Sequence, residues 1–326
     1  MKHKKIGILL ICLIIGFTMG VAPASGKTQF LQITSGPVGG TWYVLGGALA
    51  DLLKDKIPGV KVTTTTGGSL ANISKVQSGK ADMGFTMNRL LYEAREGVGA
   101  YKDKGVHGNV MGLIYLSEIY MSVFLARAET PINSIQDIKD KKVPVRILTS
   151  PRASSPSVAA ERMLETYGVT FDDIKSWGGK VNFVSYAEAS SLLKDGHADI
   201  WCGPMVPPIL EVTISHKMKF LPINQSVLNN LKDKYKYGVA TIPEGYWEFL
   251  DKPTPIMTES ILMIVRKDLP EDMVYTITKM LYTNPDTIRN SHRIYKTYNP
   301  QDACQITGGP IHPGALRYYR EKGICK

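Results

Sequence analysis

From residue 30 onward, short apolar or β-branched runs alternate with segments whose apolar residues recur at helical spacing, and turns rich in Gly, Ser and Thr separate them. This alternation constrains the chain to α/β architecture, because parallel strands can be joined only by long crossovers, usually helical. Residues 30–35 read as a first strand. A helix over 42–56 follows, with Val44, Leu45, Ala48, Leu49, Leu52 and Leu53 at helical spacing. Pro58-Gly59 stops it, and residues 60–66 are a second strand rich in Val and Thr. A second helix opens at Gly67-Gly68-Ser69, a third strand spans 82–87 and a third helix begins at Asn88.

Two longer apolar segments interrupt this rhythm. Residues 110–127 read as a strand that leaves one lobe and enters another. Residues 256–266 read as the return crossing. Between them the alternation restarts, with strands expected over 143–149, 181–186, 198–202 and 220–223, and residues 232–255 are irregular and aromatic. The expectation is two α/β lobes with a cleft between them: a first lobe over 25–123, a second over 124–257, and a return to the first over 258–326. Such a cleft buries a small polar ligand by hinge closure.

The first residues carry an export pattern. Lys2, Lys4 and Lys5 precede an apolar run to Gly20, and Ala22-Pro23-Ala24 supplies the small residues of a cleavage site. The run falls short of the roughly 20 residues of a spanning helix. Residues 1–24 are therefore expected to be a signal peptide cleaved after Ala24, leaving a soluble periplasmic protein. Basic residues number 39 and acidic residues 29. Without the three signal lysines the excess is seven, spread too thinly for a nucleic-acid-binding face. Of four cysteines, Cys12 leaves with the signal. The odd remainder suggests one bridge and one free thiol in an oxidising compartment. Cys304 and Cys325 flank a Gly- and Pro-rich segment able to fold back on itself, and Cys202 lies in an apolar strand-like run as a buried thiol.

Signatures of catalysis are absent: the chain has no G-x-S-x-G, H-E-x-x-H or C-x-x-C, and its six histidines are dispersed. No enzymatic activity, metal or cofactor is expected. What recurs instead is the strand-to-helix turn. Gly40-Thr41-Trp42-Tyr43, Gly68-Ser69 and Thr86-Met87-Asn88 each stand at the carboxyl end of a strand and the amino end of a helix, where free backbone N–H groups and the helix dipole favour an anion. Residues of these types also serve as ordinary caps. The second lobe offers Arg152, Ser154, Ser155 and Ser157, ahead of or within a helix begun by Pro156, and Trp201-Cys202-Gly203 at another strand end. Arg152 suits bidentate pairing with a carboxylate or an exposed loop. Arg89 is a second candidate of the same kind, and Trp201 suits either ligand contact or the core.

Taken in order, these segments resemble a known family. Gly39-Gly40-Thr41-Trp42-Tyr43, Leu45-Gly46-Gly47-Ala48-Leu49-Ala50, Thr66-Gly67-Gly68-Ser69, Gln77-Ser78-Gly79-Lys80-Ala81-Asp82, Ser185-Tyr186-Ala187-Glu188-Ala189, Ala240-Thr241-Ile242-Pro243, Leu269-Pro270-Glu271-Asp272 and His312-Pro313-Gly314-Ala315 are similar to the TAXI family, the solute receptors of TRAP transporters. The resemblance implies a two-lobed type II periplasmic-binding-protein fold and a monomeric receptor serving a sodium-coupled TRAP membrane permease without ATP. It implies a ligand such as glutamate, glutamine or a 2-oxoacid. By the same analogy Thr41, Trp42 and Tyr43 line the site, with Ser69, Thr86 and Asn88 nearby. The chain departs from the family at 153–157, where Ala-Ser-Ser-Pro-Ser replaces a Gly-Ser-Gly-Thr-Glu-like turn, so the ligand-facing turn is altered. Two other readings stay open: a periplasmic ligand-sensing subunit that feeds a signalling protein, and an enzyme on the same fold.

Overall fold

The computed structural model describes residues 28–120 and 122–325; the signal segment and its cleavage site lie outside them. Strands β1 (Gln29–Thr34), β2 (Val60–Thr65) and β3 (Met83–Met87) run parallel, with β1 in the centre. Helices α1 (Thr41–Lys56) and α2 (Ser69–Gln77) connect them, and α3 (Asn88–Glu96) follows. Leu45, Leu49, Leu52 and Leu53 lie on the buried face of α1, as their spacing predicts, whereas Val44 is exposed and Ala48 half-buried; the buried face packs on β2.

The chain runs up β4 (Val110–Tyr120) in this first sheet and enters the second at β5 (Val123–Arg127). The long apolar run is thus two strands in different sheets. The second lobe continues through α4 (Ile135–Lys141), β6 (Arg146–Thr149), α5 (Ser155–Thr166), α6 (Phe171–Ser176), β7 (Lys180–Phe183), α7 (Tyr186–Lys194), β8 (Ile200–Gly203), α8 (Pro207–Ser215), β9 (Met218–Leu221) and α9 (Gln225–Tyr235). Its sheet order is β7-β6-β8-β5-β9.

The return differs from the expected one. β10 (Gly238–Ile242) already belongs to the first sheet, where it pairs antiparallel with β11 (Thr254–Arg266). β11 is the central organiser of that sheet and pairs with β10, β3 and β4. Its residues 256–257 and 261–265 are fully buried because strands or helices cover it throughout. Residues 256–266 thus form the expected apolar strand but not the expected return crossing, which precedes β10.

Helices α10 (Glu271–Thr283), α11 (Pro285–Arg289) and α12 (Pro313–Glu321) complete the chain. α12 packs on α10, and the Tyr319 hydroxyl donates to the Leu113 carbonyl at 2.7 Å. Cys304 and Cys325 form a disulfide, and Cys202 is a free, buried thiol on β8. His312 caps α12 by accepting from Gly314 N. Among the described residues no helix is long and apolar enough to cross a membrane.

Candidate functional site

A cavity of about 490 Å³ lies between the lobes. The starts of α1 (Gly40, Thr41, Trp42), α2 (Gly68, Ser69), α5 (Ser154, Pro156) and α7 (Tyr186) line it, together with Pro204, Met205 and Val206 ahead of α8. Glu118, Ile119 and Tyr120 of β4, Tyr246 and Trp247 after β10, and His292, Arg293 and Ile294 after α11 supply much of the remaining wall. It therefore stands outside the carboxyl ends of parallel strands in both sheets, where ligands of open α/β folds bind.

Asn72 fixes the first-lobe rim. Its side-chain amide donates to the Ser35 and Phe85 carbonyls at 2.7 and 2.8 Å, and its oxygen accepts from Thr34 Oγ1 and Gly68 N. One buried side chain thus ties the ends of β1 and β3 to the start of α2. Gly40 is required by close approach: a Cβ there would lie 2.9 Å from the Tyr186 ring of the other lobe. Trp42 is held by stacking on Phe85, with ring centroids 5.7 Å apart.

The lobes meet across the cleft at the altered turn. Leu70 N and Ala71 N, at the start of α2, donate to the carbonyl of Ala153 at 3.1 and 3.3 Å, and Ser155 N donates to Ser69 Oγ at 3.1 Å. Ala153 reaches this position with φ of 60°, in the left-handed region where a Cβ is unfavourable. Part of the N-terminus of α2, expected to face an anion, is thus satisfied by the opposite lobe.

A buried charge cluster lies behind this contact. Arg89 pairs with Glu93 on its own helix and with Glu259 of β11, through Nε at 2.9 Å. From the second lobe, Arg162 reaches Glu93 at 3.3 Å, and the Ser155 hydroxyl donates to Glu259. Tyr237 lies against both guanidiniums, 4.4 Å from that of Arg89 and 6.0 Å from that of Arg162. Burial pushes the Glu259 carboxyl up, and the Arg89 charge and Ser155 hydroxyl offset only part of this. Burial acts upward on Glu93 too, but Arg89 and Arg162 outweigh it and hold its carboxyl below the ordinary range.

Of the expected ligand-facing residues, the structure brings Gly40, Thr41, Trp42, Gly68, Ser69 and Ser154 together in the cavity. The others do not line it. Tyr43 is 46 % exposed on α1. The Thr86 hydroxyl donates to the Ser69 carbonyl at 3.1 Å, and Asn88 holds the backbone of Thr307 and Gly308. Ser155 is committed to Glu259, and Ser157 donates to the Ser154 carbonyl. Trp201 is fully buried and donates to the Pro204 carbonyl, with Gly203 pressed against its ring. Arg152 stacks over Phe183, 3.8 Å from the ring centroid, and Arg89 is spent on its two carboxylates. Among the residues not anticipated are Glu118, Tyr120, Tyr186, Tyr246, Trp247 and Arg293. For Tyr246 and Trp247 the advance signal was the concentration of aromatic residues within 232–255; Glu118, Tyr120 and Arg293 lie outside that stretch and had none. Among the described residues no group of three or more His, Cys, Asp or Glu could hold a metal ion.

The fold is shared with solved structures of two-lobed periplasmic binding proteins. Malate-bound MatC from Rhodopseudomonas palustris is 12 % identical, with a TM-score of 0.56 over 93 % of this chain and 100 % of that one. A protein described as a periplasmic transporter is 11 % identical, with a TM-score of 0.52 over 92 % of this chain and 94 % of that one. A TctC solute-binding protein from Polaromonas is 18 % identical, with a TM-score of 0.46 over 92 % of this chain and 98 % of that one. The model of the NMT1-like family matches residues 33–323.

Proposed function

Because this chain belongs to the NMT1-like family, we propose that it is an extracytoplasmic solute-binding receptor that captures a small carboxylate between its lobes and delivers it to a membrane permease. The observation that carries this reading is the cavity itself, walled by helix starts of both lobes, which backbone hydrogen bonds at Ala153 join beside it. A site divided between two bodies couples ligand capture to their relative movement. The carboxylate preference is supported by the α1 amino terminus, which presents the positive end of a sixteen-residue helix, and by Arg293. The TRAP type of the permease and the periplasmic location rest on the sequence resemblance and the export pattern at residues 1–24.

A thermal-shift screen of amino acids, dicarboxylates, 2-oxoacids, arylcarboxylates and sulfonates tests the reading, followed by small-angle scattering on each hit. A true ligand stabilises the folded state by mass action and reduces the radius of gyration. Replacing its carboxylate by an amide of the same shape is expected to weaken binding by about tenfold, the loss of one charge-assisted hydrogen bond. If no solute raises the melting temperature, the receptor reading fails. An amide that binds as tightly as its acid removes the carboxylate from it.

A further inference from the structure

Five aromatic side chains line the cavity: Trp42, Tyr120, Tyr186, Tyr246 and Trp247. They are fixed rather than adaptable. Tyr120, Tyr246 and Trp247 stand mutually edge-to-face, with centroids 5.2, 5.4 and 6.2 Å apart, and Trp247 stacks in turn on Phe249. Tyr186 is set edge-on against buried Trp201. Rings already held at such angles lose little freedom when a further ring joins them in offset or edge-to-face contact. A four- or five-carbon diacid gives these faces little to pack against, and a cavity of about 490 Å³ falls among those that enclose drug-sized ligands.

Charge narrows the class further. Among the described residues lining the cavity, Arg293 is the one permanent cation and Glu118 the one carboxylate. Arg293 lies over the Tyr246 ring at 4.9 Å, beside the aromatic group. His292 adds no second cation near neutral pH, because burial and the adjacent Arg293 hold its imidazole below the ordinary range. Glu118 stands two residues before Tyr120 on β4 and accepts a hydrogen bond from the Ser260 hydroxyl. A second acidic group on a ligand would share the cavity with that carboxylate. Arg152 and Arg89, the two other arginines suited to a second acid, are engaged elsewhere.

Granted the solute-binding reading, we infer that the solute is a monocarboxylate with a flat aromatic body, its ring among Tyr120, Tyr246 and Trp247 and its single charge at Arg293. Glu118 then acts as a filter against diacids, since specificity is built as much by repulsion of the wrong ligand as by attraction of the right one.

Calorimetry on the exported chain with 3-phenylpropanoate, 3-phenylpropanamide, malate and glutamate decides it. The arylcarboxylate is expected to bind at least about tenfold more tightly than either diacid, a difference of 1.4 kcal/mol. Arg293→Gln should weaken 3-phenylpropanoate by about tenfold and leave the amide unchanged. Glu118→Gln should strengthen malate by more than it strengthens 3-phenylpropanoate, narrowing the ratio between them, a gain that a merely damaged fold cannot produce. Malate or glutamate binding as tightly as the arylcarboxylate overturns the inference. If that diacid also compacts the protein in scattering, the receptor reading survives it. Absence of binding by 3-phenylpropanoate overturns the inference outright, and absence of compaction by every solute of the wider screen removes the receptor reading as well.

Discussion

Arg89→Met is expected to destabilise the protein by about 3–5 kcal/mol, because it strands Glu259 as a buried carboxylate without its cation. Arg89 and Glu259 are both almost fully buried, and no solvent is at hand to replace the lost partner. The deficit should depend on pH. Burial already raises the Glu259 carboxyl, so its contribution to stability is lost as pH rises through its folded-state value. Removing Arg89 raises it further. Glu93 has the opposite sign: its depressed carboxyl stabilises the fold above the ordinary carboxylate range, and that contribution is lost as pH falls. Arg89 is a principal cause of that depression, so its removal erodes this term at neutral pH too. The deficit is therefore largest near pH 8 and shrinks toward pH 5, where protonation relieves the stranded carboxyl. Urea midpoints of both proteins at the two pH values measure it. Adding Glu259→Gln should recover part of the loss at pH 8, because a neutral amide costs less to bury than a charge. A deficit below about 1 kcal/mol, the scale of an exposed ion pair, would show that the cluster is solvated and not the buried unit described above.

Removing the disulfide is the second large effect. Cys304 and Cys325 are separated by 21 positions. Closing a loop of that length lowers the entropy of the unfolded chain enough to stabilise the fold by about 3 kcal/mol. The enclosed segment contains the whole of α12 and pairs Ile311 with Gly112 of β4, so the bridge closes a loop that packs on the first sheet. The double variant Cys304→Ser/Cys325→Ser should lower the urea midpoint accordingly. Reductant should reproduce the loss in the wild-type protein and leave the variant unchanged, since buried Cys202 has no partner to lose. Equal sensitivity of both proteins to reductant would mean that another group is responsible.

The sequence made the backbone part of the site legible and left most side chains undetermined. Gly40-Thr41-Trp42 and Gly68-Ser69 could be placed because a strand end and a helix start are local events, written in glycines and in the apolar period that follows. The fate of an arginine is decided by whatever the fold brings beside it. Arg89 and Arg152 looked alike as loop-adjacent cations. One became the centre of a buried cluster because β11 passes behind α3, and the other lies on Phe183 at the surface. β10 escaped notice because five residues of mixed polarity at a sheet edge carry little periodic signal, and that strand is what returns the chain to the first sheet. Tyr246 and Trp247 follow it in a stretch without regular structure, where no spacing rule says which way a ring will face.

The Ala153 carbonyl has a kinetic consequence for such a receptor. While the lobes touch, it satisfies Leu70 N and Ala71 N and masks the positive end of α2. Parting the lobes would break both bonds, and water would take over the donors at modest cost. It would also unmask that helix end beside the α1 start. An approaching anion would then meet two helix termini, where the joined lobes present one. Capture would be steered toward the first lobe, with an association rate that falls as ionic strength rises. The same two amides would thus draw the ligand in during encounter and, once it has arrived, seal the cleft behind it.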